Sequence, residues 1–232
     1  MKRSEINHAI QTAKEAMAAI QFRLPCFSEW SLEQWKENAA KTDTIEKVML
    51  GWDVSDFGAG DFDHVGAVLF TIRNGNLYDS ELGVPYCEKA IVFHDYEKQV
   101  IPFHFHNNKT EDIINRGNGI MEIELYNSMP DGRMDPDSEV QVSMDGIWHT
   151  VKPGEIIEIT PGNSITLTPR MYHRFGAKKG AGNLVAGEVS KINDDNLDNV
   201  FAEEQKRFSD IIEDEAILHP LCNEYDKVIS RF

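Results

Sequence analysis

The sequence predicts a mainly β protein, a sandwich or barrel, with helical additions at both ends. Between residues 51 and 195, short β-branched and aromatic runs are separated by Asn-Gly, Asp-Gly and Pro-Gly pairs, which mark turns between strands. Outside that stretch, apolar residues recur at helical spacing. We expect one architectural domain, with a helical arm over 1–50, the β-barrel over 51–195 and a helical segment over 196–232 that packs on the barrel.

The N-terminal arm should contain two helices. Apolar residues from Ile6 to Ile20 follow helical spacing, and Ser4 is the expected N-cap of this first helix. Ser31 stands three residues before Gln34, a capping-box pattern that opens a second, shorter helix.

The central segment should contain a series of short strands. Their frequency is typical of a sandwich or barrel. The predicted strands are Val65–Arg73, Lys89–Phe93, Gln99–His106, Ile120–Tyr126, Val140–Met144, Ile147–Val151, Glu155–Ile159, Ser164–Thr168 and Leu184–Ser190.

The C-terminal segment returns to a helical pattern. An apolar stripe stands among many carboxylates, and we expect it to form a helix that packs on the barrel. The stripe consists of Leu197, Phe201, Phe208, Ile211 and Ile212.

Composition excludes several classes of partner. The net charge of −16, from 39 acidic and 23 basic residues, argues against a nucleic acid or an anionic membrane as partner, because both require positive patches. The three cysteines show neither a disulfide framework nor a zinc-ribbon spacing. No secretory signal or membrane-spanning run is present, so we expect a cytoplasmic protein with reduced thiols.

The segment from His104 to Glu111 has the pattern of a metal site. Alternate residues of a strand share a face, so His104 and His106 can converge on one ion, and Glu111 can join them from the adjoining turn. Imidazole nitrogens combined with one carboxylate suit Mn²⁺, Fe²⁺ or related ions more than metals that prefer thiolates. We expect Mn²⁺, with Fe²⁺, Co²⁺ or Zn²⁺ as alternatives. His173, at the start of a late strand, is the best candidate for a fourth ligand.

Two motifs resemble those of the cupin superfamily. His104-x-His106-x₄-Glu111 with Gly117 and Gly119 resembles the first motif, and Pro161-Gly162 through Pro169 to His173 resembles the second. The resemblance implies a site of three histidines and one glutamate inside a small double-stranded β-helix.

A finer resemblance, across most of the chain, is to the D-lyxose isomerases. Three stretches carry it: 69–75 (LFTIRNG), 104–117 with its Glu-Asp-Ile-Ile-Asn-Arg run, and 187–199 with Gly-Glu-Val-Ser and later aspartates. The resemblance implies interconversion of D-lyxose with D-xylulose, for some members also of D-mannose with D-fructose, with a divalent metal and as a homodimer.

Sugar isomerisation also needs a base near the ion. Lys109, on the ligand loop, could shuttle a proton or neutralise an oxyanion, whereas metal ligation would make Glu111 a weaker base. Among the carboxylates Glu188, Glu203 and Glu204, we favour Glu204, on the expectation that a C-terminal helix covers the mouth of the barrel.

Further side chains are candidates for substrate contact. Lys89, Arg116 and Arg170 could orient hydroxyls or hold an active-site carboxylate. Trp52, with Asp53 and Asp56, could supply a stacking face and hydroxyl acceptors, or could form a turn with an aromatic plug.

A cluster of aspartates also has two interpretations. Asp194, with Asp195 and Asp198, could line a polar rim of the site or cap a helix, and capping is slightly favoured because aspartate suits N-cap and first-turn positions.

Two other functions remain open on sequence grounds. The same metal set could serve an iron-dependent cupin oxygenase, or a cupin that binds a sugar or metal without turnover. The sequence also does not decide between proton transfer through a cis-enediol and a hydride shift.

Overall fold

The computed structural model describes residues 1–95, 97–194 and 198–229. The helices within these ranges are α1 (Arg3–Ala19), α2 (Leu32–Asn38), α3 (Asp43–Lys47) and α4 (Tyr225–Val228). The strands are β1 (Gly51–Ser55), β2 (Ala67–Gly75), β3 (Gly83–Phe93), β4 (Val100–His106), β5 (Glu111–Gly117), β6 (Met121–Ser128), β7 (Met134–Asp135), β8 (Val140–Met144), β9 (Ile147–Val151), β10 (Ile156–Ile159), β11 (Ser164–Leu167), β12 (Met171–Ala177), β13 (Leu184–Ser190) and β14 (Asn199–Phe201).

The strands form two antiparallel sheets. One has the order β1-β2-β3-β13-β5-β11-β8-β9, and the other has the order β10-β6-β12-β4-β14, with β7 paired to β6. Strands β3, β13, β5 and β11 face β4, β12, β6 and β10 across the core, and successive strands cross between the sheets as in a jelly roll. The predicted cupin double-stranded β-helix is therefore confirmed.

The sequence prediction missed β1, β5, β7 and β14, and identified only the start of β12. Strand β5 reads Glu-Asp-Ile-Ile-Asn-Arg-Gly, in which most residues have low strand propensity. It forms because it lies between β13 and β11, where Ile113 and Asn115 point inward. Glu111 therefore begins a strand, where the sequence predicted a turn.

Two apolar layers stabilise the fold. The first lies between the sheets and includes Ile113, Ile123 and Phe175. The second lies between the larger sheet and the N-terminal helices, where Ile6 and Ile10 of α1 pack over the outer face of the sheet. Strand β2 is buried on both faces because it contributes to both layers.

The capping box of α2 is confirmed, since Gln34 N donates to Ser31 Oγ and Ser31 N donates to Gln34 Oε1. The N-cap predicted for α1 is wrong by two residues. Lys2 caps the helix, with its backbone N–H donated to Glu5, while Ser4 bonds Asp214. In the described parts of the chain, no helix is long and apolar enough to span a membrane.

The helix predicted from the apolar stripe between Phe201 and Ile212 is wrong. Residues 199–201 form β14, and α4 is the only helix in the range 198–229. Phe201 packs into the core between the sheets, whereas Phe208 and Ile211 pack against the helical layer. Because these side chains point to different layers, an extended segment buries them and a single helical face would not. Leu197, the first residue of the stripe, lies outside the described residues.

An ionic clasp joins the chain ends. The Arg3 guanidinium is fully buried and donates to both carboxylate oxygens of Glu224, at 2.9 and 2.6 Å, and to those of Glu213, at 2.8 Å each. Burial favours the neutral form of Glu224, but its bonds to Arg3 and Lys227 outweigh this and lower its pKa. The clasp therefore keeps a charged carboxylate in the interior.

We expect Arg3→Met to destabilise the protein by about 3–5 kcal/mol at pH 7, because Glu224 would stay buried without its main partner. A carboxylate with a lowered folded pKa contributes stability above its unfolded pKa and loses it as the pH falls. The difference from the wild type should therefore shrink below pH 4.5, the ordinary value for this carboxyl. Denaturant unfolding at several pH values measures this, with Arg133→Met, at an exposed ion pair, as the control.

Candidate metal centre and active site

Three histidines converge inside the barrel. His104 and His106 lie at the end of β4, two residues apart and on the same face, and His173 on β12 pairs in register with His104. All three are buried, and one nitrogen from each lies within 4.8 Å of the others. Strand alternation and antiparallel pairing therefore bring together the imidazoles that the sequence separates by about seventy positions.

The ring nitrogens of this triad are oriented for a cation. Nδ1 of His104 is 2.8 Å from the Pro102 carbonyl, and Nδ1 of His173 is 2.9 Å from the Met171 carbonyl. A carbonyl only accepts, so both Nδ1 atoms carry the proton. The two Nε2 atoms, only 3.0 Å apart, then face each other as lone pairs. A positive ion beside them would relieve this repulsion.

Glu111 adds a carboxylate to the triad. Its Oε1 lies 3.2 Å from His106 Nε2 and 3.3 Å from His173 Nε2, while its Oε2 lies 2.8 Å from Lys109 Nζ. Burial alone would raise the pKa of Glu111, but Lys109 and His106 hold it well below its ordinary value. Glu111 is thus a charged oxygen donor facing the imidazoles.

Burial lowers the pKa of His104 well below its ordinary value, and the neighbouring His173 and His106 lower it further. Burial also lowers the pKa of His106. Both rings are therefore neutral near pH 7, the form that binds metals. Three imidazoles and one carboxylate around one point are a donor set that fits a single divalent cation.

A cavity opens beside the histidines. It has about 470 Å³ of empty space including its mouth. One wall is polar and charged, with Lys89, Lys109, Glu111 and Glu188. The apolar lining consists of Phe57, Leu69, Ile91, Ile101, Ile113, Phe175 and Phe201.

A buried network of opposite charges forms the polar wall. Lys109 Nζ lies 2.9 Å from Glu188 Oε1, and Lys89 Nζ lies 3.4 Å from Glu188 Oε2. Asn193 Oδ1 also accepts from Lys109, at 3.0 Å. Burial would raise the pKa of Glu188, but the two ammonium groups outweigh it and lower the pKa. Glu188 is thus a carboxylate at neutral pH.

The cavity is also lined by residues that the sequence did not predict as site residues. Phe57 follows β1, whereas Asn199, Phe201 and Arg207 come from the C-terminal segment. Arg207 Nη2 lies 2.6 Å from Asp53 Oδ2 and thereby attaches this segment to β1. The pairing of β14 with β4 brings Asn199 and Phe201 to the cavity, so no local motif could reveal these two residues.

Several predicted site residues lie away from the cavity lining. Trp52 is buried in the helical layer and donates its Nε1 proton to the Ser28 carbonyl. Arg116 is exposed and lies next to Gly187, and Arg170 is exposed and lies over the ring of Phe105. The structure therefore does not bring these three predicted sugar contacts to the cavity, because their strands or turns direct them away from it.

The predicted base, Glu204, is also not at the cavity. Glu203 and Glu204 are both exposed, since the helix that was to turn them inward does not form. Asp194 lines two outer hollows, the larger with about 750 Å³ of empty space, which contain no ligand histidine. Asp56 caps a turn by accepting from the backbone of Gly58 and Gly60. Asp195 lies outside the described residues.

Comparison with known proteins gives a consistent family assignment. Residues 1–225 match the model of a family described as D-lyxose isomerase. A D-lyxose/D-mannose isomerase of Escherichia coli O157:H7 is 40% identical over 228 residues, covering 97% of this chain and 98% of the relative. A D-lyxose/D-mannose isomerase of Serratia proteamaculans is 39% identical over 232 residues, covering 99% and 100%.

Solved structures show the same fold. An Acinetobacter sp. DL28 L-ribose isomerase in complex with L-ribose superposes with a TM-score of 0.56 at 14% identity, covering 90% of this chain and 98% of its own. A Geodermatophilus obscurus L-ribose isomerase superposes with a TM-score of 0.53 at 16% identity, covering 90% and 98%. At this identity, the likeness concerns the fold.

Proposed function

Since this chain belongs to the D-lyxose isomerase family and is a sugar isomerase, we propose that it interconverts D-lyxose and D-xylulose in the cavity beside His104, His106 and His173. The names of the two curated relatives support D-mannose and D-fructose as a second pair. The observation that carries the proposal is structural. Three of the four proposed donors, His104, His106 and Glu111, line the same cavity as a buried lysine–glutamate network, and His173 lies beside them in the histidine triad.

We propose that one divalent ion binds to four ligands, His104, His106, Glu111 and His173. The mixture of three imidazoles with one carboxylate favours Mn²⁺ among the ions that such a set accepts, which also include Fe²⁺, Co²⁺ and Zn²⁺. When bound, the ion would polarise the sugar carbonyl and stabilise negative charge on the adjacent oxygens.

We assign proton transfer to Glu188. Isomerisation moves hydrogen between neighbouring sugar carbons, and a cis-enediol route needs a base that takes a proton from one carbon and returns it to the other. Glu188 lines the cavity, stays outside the ligand set and is held in its charged form by Lys109 and Lys89. It is therefore able to accept the proton, whereas Glu111 is engaged with the imidazoles.

We assign to Lys109 the positive charge that stabilises the sugar oxygen on which negative charge develops. Its ammonium lies within 3.0 Å of three acceptors, on Glu111, Glu188 and Asn193. These contacts use its three N–H donors and hold the ammonium at the cavity wall, where a fixed positive charge stabilises developing negative charge without reorganisation. The predicted role of Lys109 beside the ion is retained in this proposal.

Apolar side chains complete the cavity. Phe57 and Phe201 have ring centroids 5.8 Å apart at the mouth, and Phe201 lies 5.4 Å from the His104 ring. Such a wall suits the C–H face of a sugar and limits the entry of water, which strengthens the electrostatic interactions inside.

The cis-enediol route has a direct isotopic test. In D₂O, D-xylulose formed from unlabelled D-lyxose should contain deuterium on the carbon that receives the proton, because a glutamate exchanges its proton with solvent. NMR of the product measures the incorporation. A product that retains all of its original hydrogen would instead indicate a hydride shift and would remove Glu188 from the carbon-to-carbon transfer.

We further propose a homodimer that works in the cytoplasm. The family assignment supports the dimer, and the three cysteines, which form no disulfide within the described ranges, suit a reducing compartment. Sedimentation analysis of the metal-loaded protein tests the dimer, and a single monomeric species would contradict it.

The substrate assignment is tested with a panel of aldopentoses and aldohexoses under anaerobic conditions. We expect the highest kcat/KM for D-lyxose, a lower value for D-mannose, and ketose as the sole product. Turnover that requires and consumes O₂ would favour an oxygenase. Sugar binding without product would indicate a non-catalytic cupin.

A further inference from the structure

The loop between two proposed metal ligands is attached to a single residue of the C-terminal segment. This loop, residues 107–110, joins His106 to Glu111. Asn107 N donates to the Asp198 carbonyl at 3.1 Å, Asn108 N to Asp198 Oδ1 at 2.8 Å and Lys109 N to Asp198 Oδ2 at 3.2 Å. Three consecutive backbone N–H groups thus bond one aspartate that is far away in sequence.

The same segment also holds the histidine strand. Directly after Asp198, β14 pairs with β4 so that Asn199 stands opposite His106 and Phe201 opposite His104. Ala202 N donates to the Phe103 carbonyl at 2.9 Å. The C-terminal segment therefore fixes both the strand that carries two ligands and the loop that leads to a third.

Asp198 also faces the outer nitrogen of His106. His104 and His173 donate Nδ1–H to carbonyls of their own strands, whereas Nδ1 of His106 has no hydrogen-bond partner among the described residues. The Asp198 carboxylate Oδ2 lies 3.8 Å from this atom. A negative charge at that position favours the proton on Nδ1 and so leaves Nε2 for a metal. Carboxylates commonly have this role beside metal-binding histidines.

We propose that Asp198 is a positioning residue of the metal centre, which fixes the spacing of His106 and Glu111 and thereby strengthens metal binding. The inference rests on the proposed ligand set. Asp198 is 7% exposed, so solvent only weakly screens its charge. A carboxylate is required because its two oxygens accept from two successive backbone N–H groups, and a single acceptor would hold only one of them.

The test compares Mn²⁺ affinity in chelator-stripped full-length proteins by calorimetry. Asp198→Ala should weaken binding about 10- to 100-fold, as removal of such partners does elsewhere. Asp198→Asn should lose less Mn²⁺ affinity, because its amide oxygen still accepts from the backbone N–H of Asn108. Some loss should remain, because its NH₂ group cannot accept from the backbone N–H of Lys109. The matched control is Asp145→Ala, which removes a carboxylate bonded to Ser164 N and Oγ in a turn without proposed ligands. It should bind Mn²⁺ as the wild type does.

The visible spectrum of the Co²⁺-loaded proteins gives a second readout, because it responds to ligand geometry and not to general stability. We expect an altered spectrum for Asp198→Ala and a wild-type spectrum for Asp145→Ala. Wild-type affinity and spectrum in Asp198→Ala would overturn the inference. Equal losses of Mn²⁺ affinity in Asp198→Ala and in the control Asp145→Ala would also overturn it. If Asp198→Ala does not fold, Asp198→Asn decides by the same criteria. A wild-type protein that binds no Mn²⁺ would overturn the ligand set itself, which is a distinguishable result.

Discussion

Replacing His104 or His173 with alanine should abolish tight metal binding and isomerase activity together. The ion is expected to supply several kcal/mol of charge stabilisation, which corresponds to a loss of about 10³-fold or more in kcat/KM. Each substitution also removes one of the two Nε2 atoms that lie 3.0 Å apart at the centre of the site. Metal content by elemental analysis and initial rates with D-lyxose measure the two effects.

The matched control for these variants is His64→Ala. His64 is an exposed histidine paired with Asp61 outside the barrel, so its loss should leave metal content and rate at wild-type values. Full metal content in both His104→Ala and His173→Ala would refute the ligand assignment.

Glu188→Gln should lower kcat by about 10²- to 10⁴-fold, the usual contribution of a general base. The amide keeps the shape of the side chain and can still accept from Lys109, but it cannot take a proton from carbon. Metal content should not change, because Glu188 is not among the four donors. Steady-state kinetics on metal-loaded protein, with melting temperatures to confirm folding, measure the effect.

The control for this variant is Glu204→Gln, a chemically identical change at an exposed position. It should keep the wild-type kcat. A fully active Glu188→Gln variant would exclude Glu188 as the base, and an impaired Glu204→Gln variant would restore the sequence-based assignment that the geometry disfavours.

The contrast between Glu188 and Glu204 shows which site residues can be predicted from sequence patterns and which cannot. The histidines were predictable because strand alternation alone places His104 and His106 on one face. A barrel fold then brings the strand that carries His173 next to theirs. Lys109 was predictable from its place on the ligand loop. Glu188 was one carboxylate among several, and its two lysine partners appear only when β3, β5 and β13 are paired.

The C-terminal segment was the least predictable part of the site. Its apolar residues match a helical period, but the half-buried Phe201 and Phe208 pack against different layers, so tertiary packing overrides the local pattern. The incorrect helix led to the prediction that Glu204 lies at the cavity, and Arg207, which does line the cavity, was not predicted. Asp198 was predicted as a helix cap or rim residue, and it does cap backbone N–H groups, but they belong to the ligand loop.

The most direct test of the account is a metal titration of activity. Protein stripped by chelator should not convert D-lyxose under anaerobic conditions, and activity should rise with added Mn²⁺ to a break at one ion per chain. The break should disappear in His104→Ala. Full conversion by metal-free protein, or a break that persists without His104, would contradict a metal-dependent isomerase centred on these histidines.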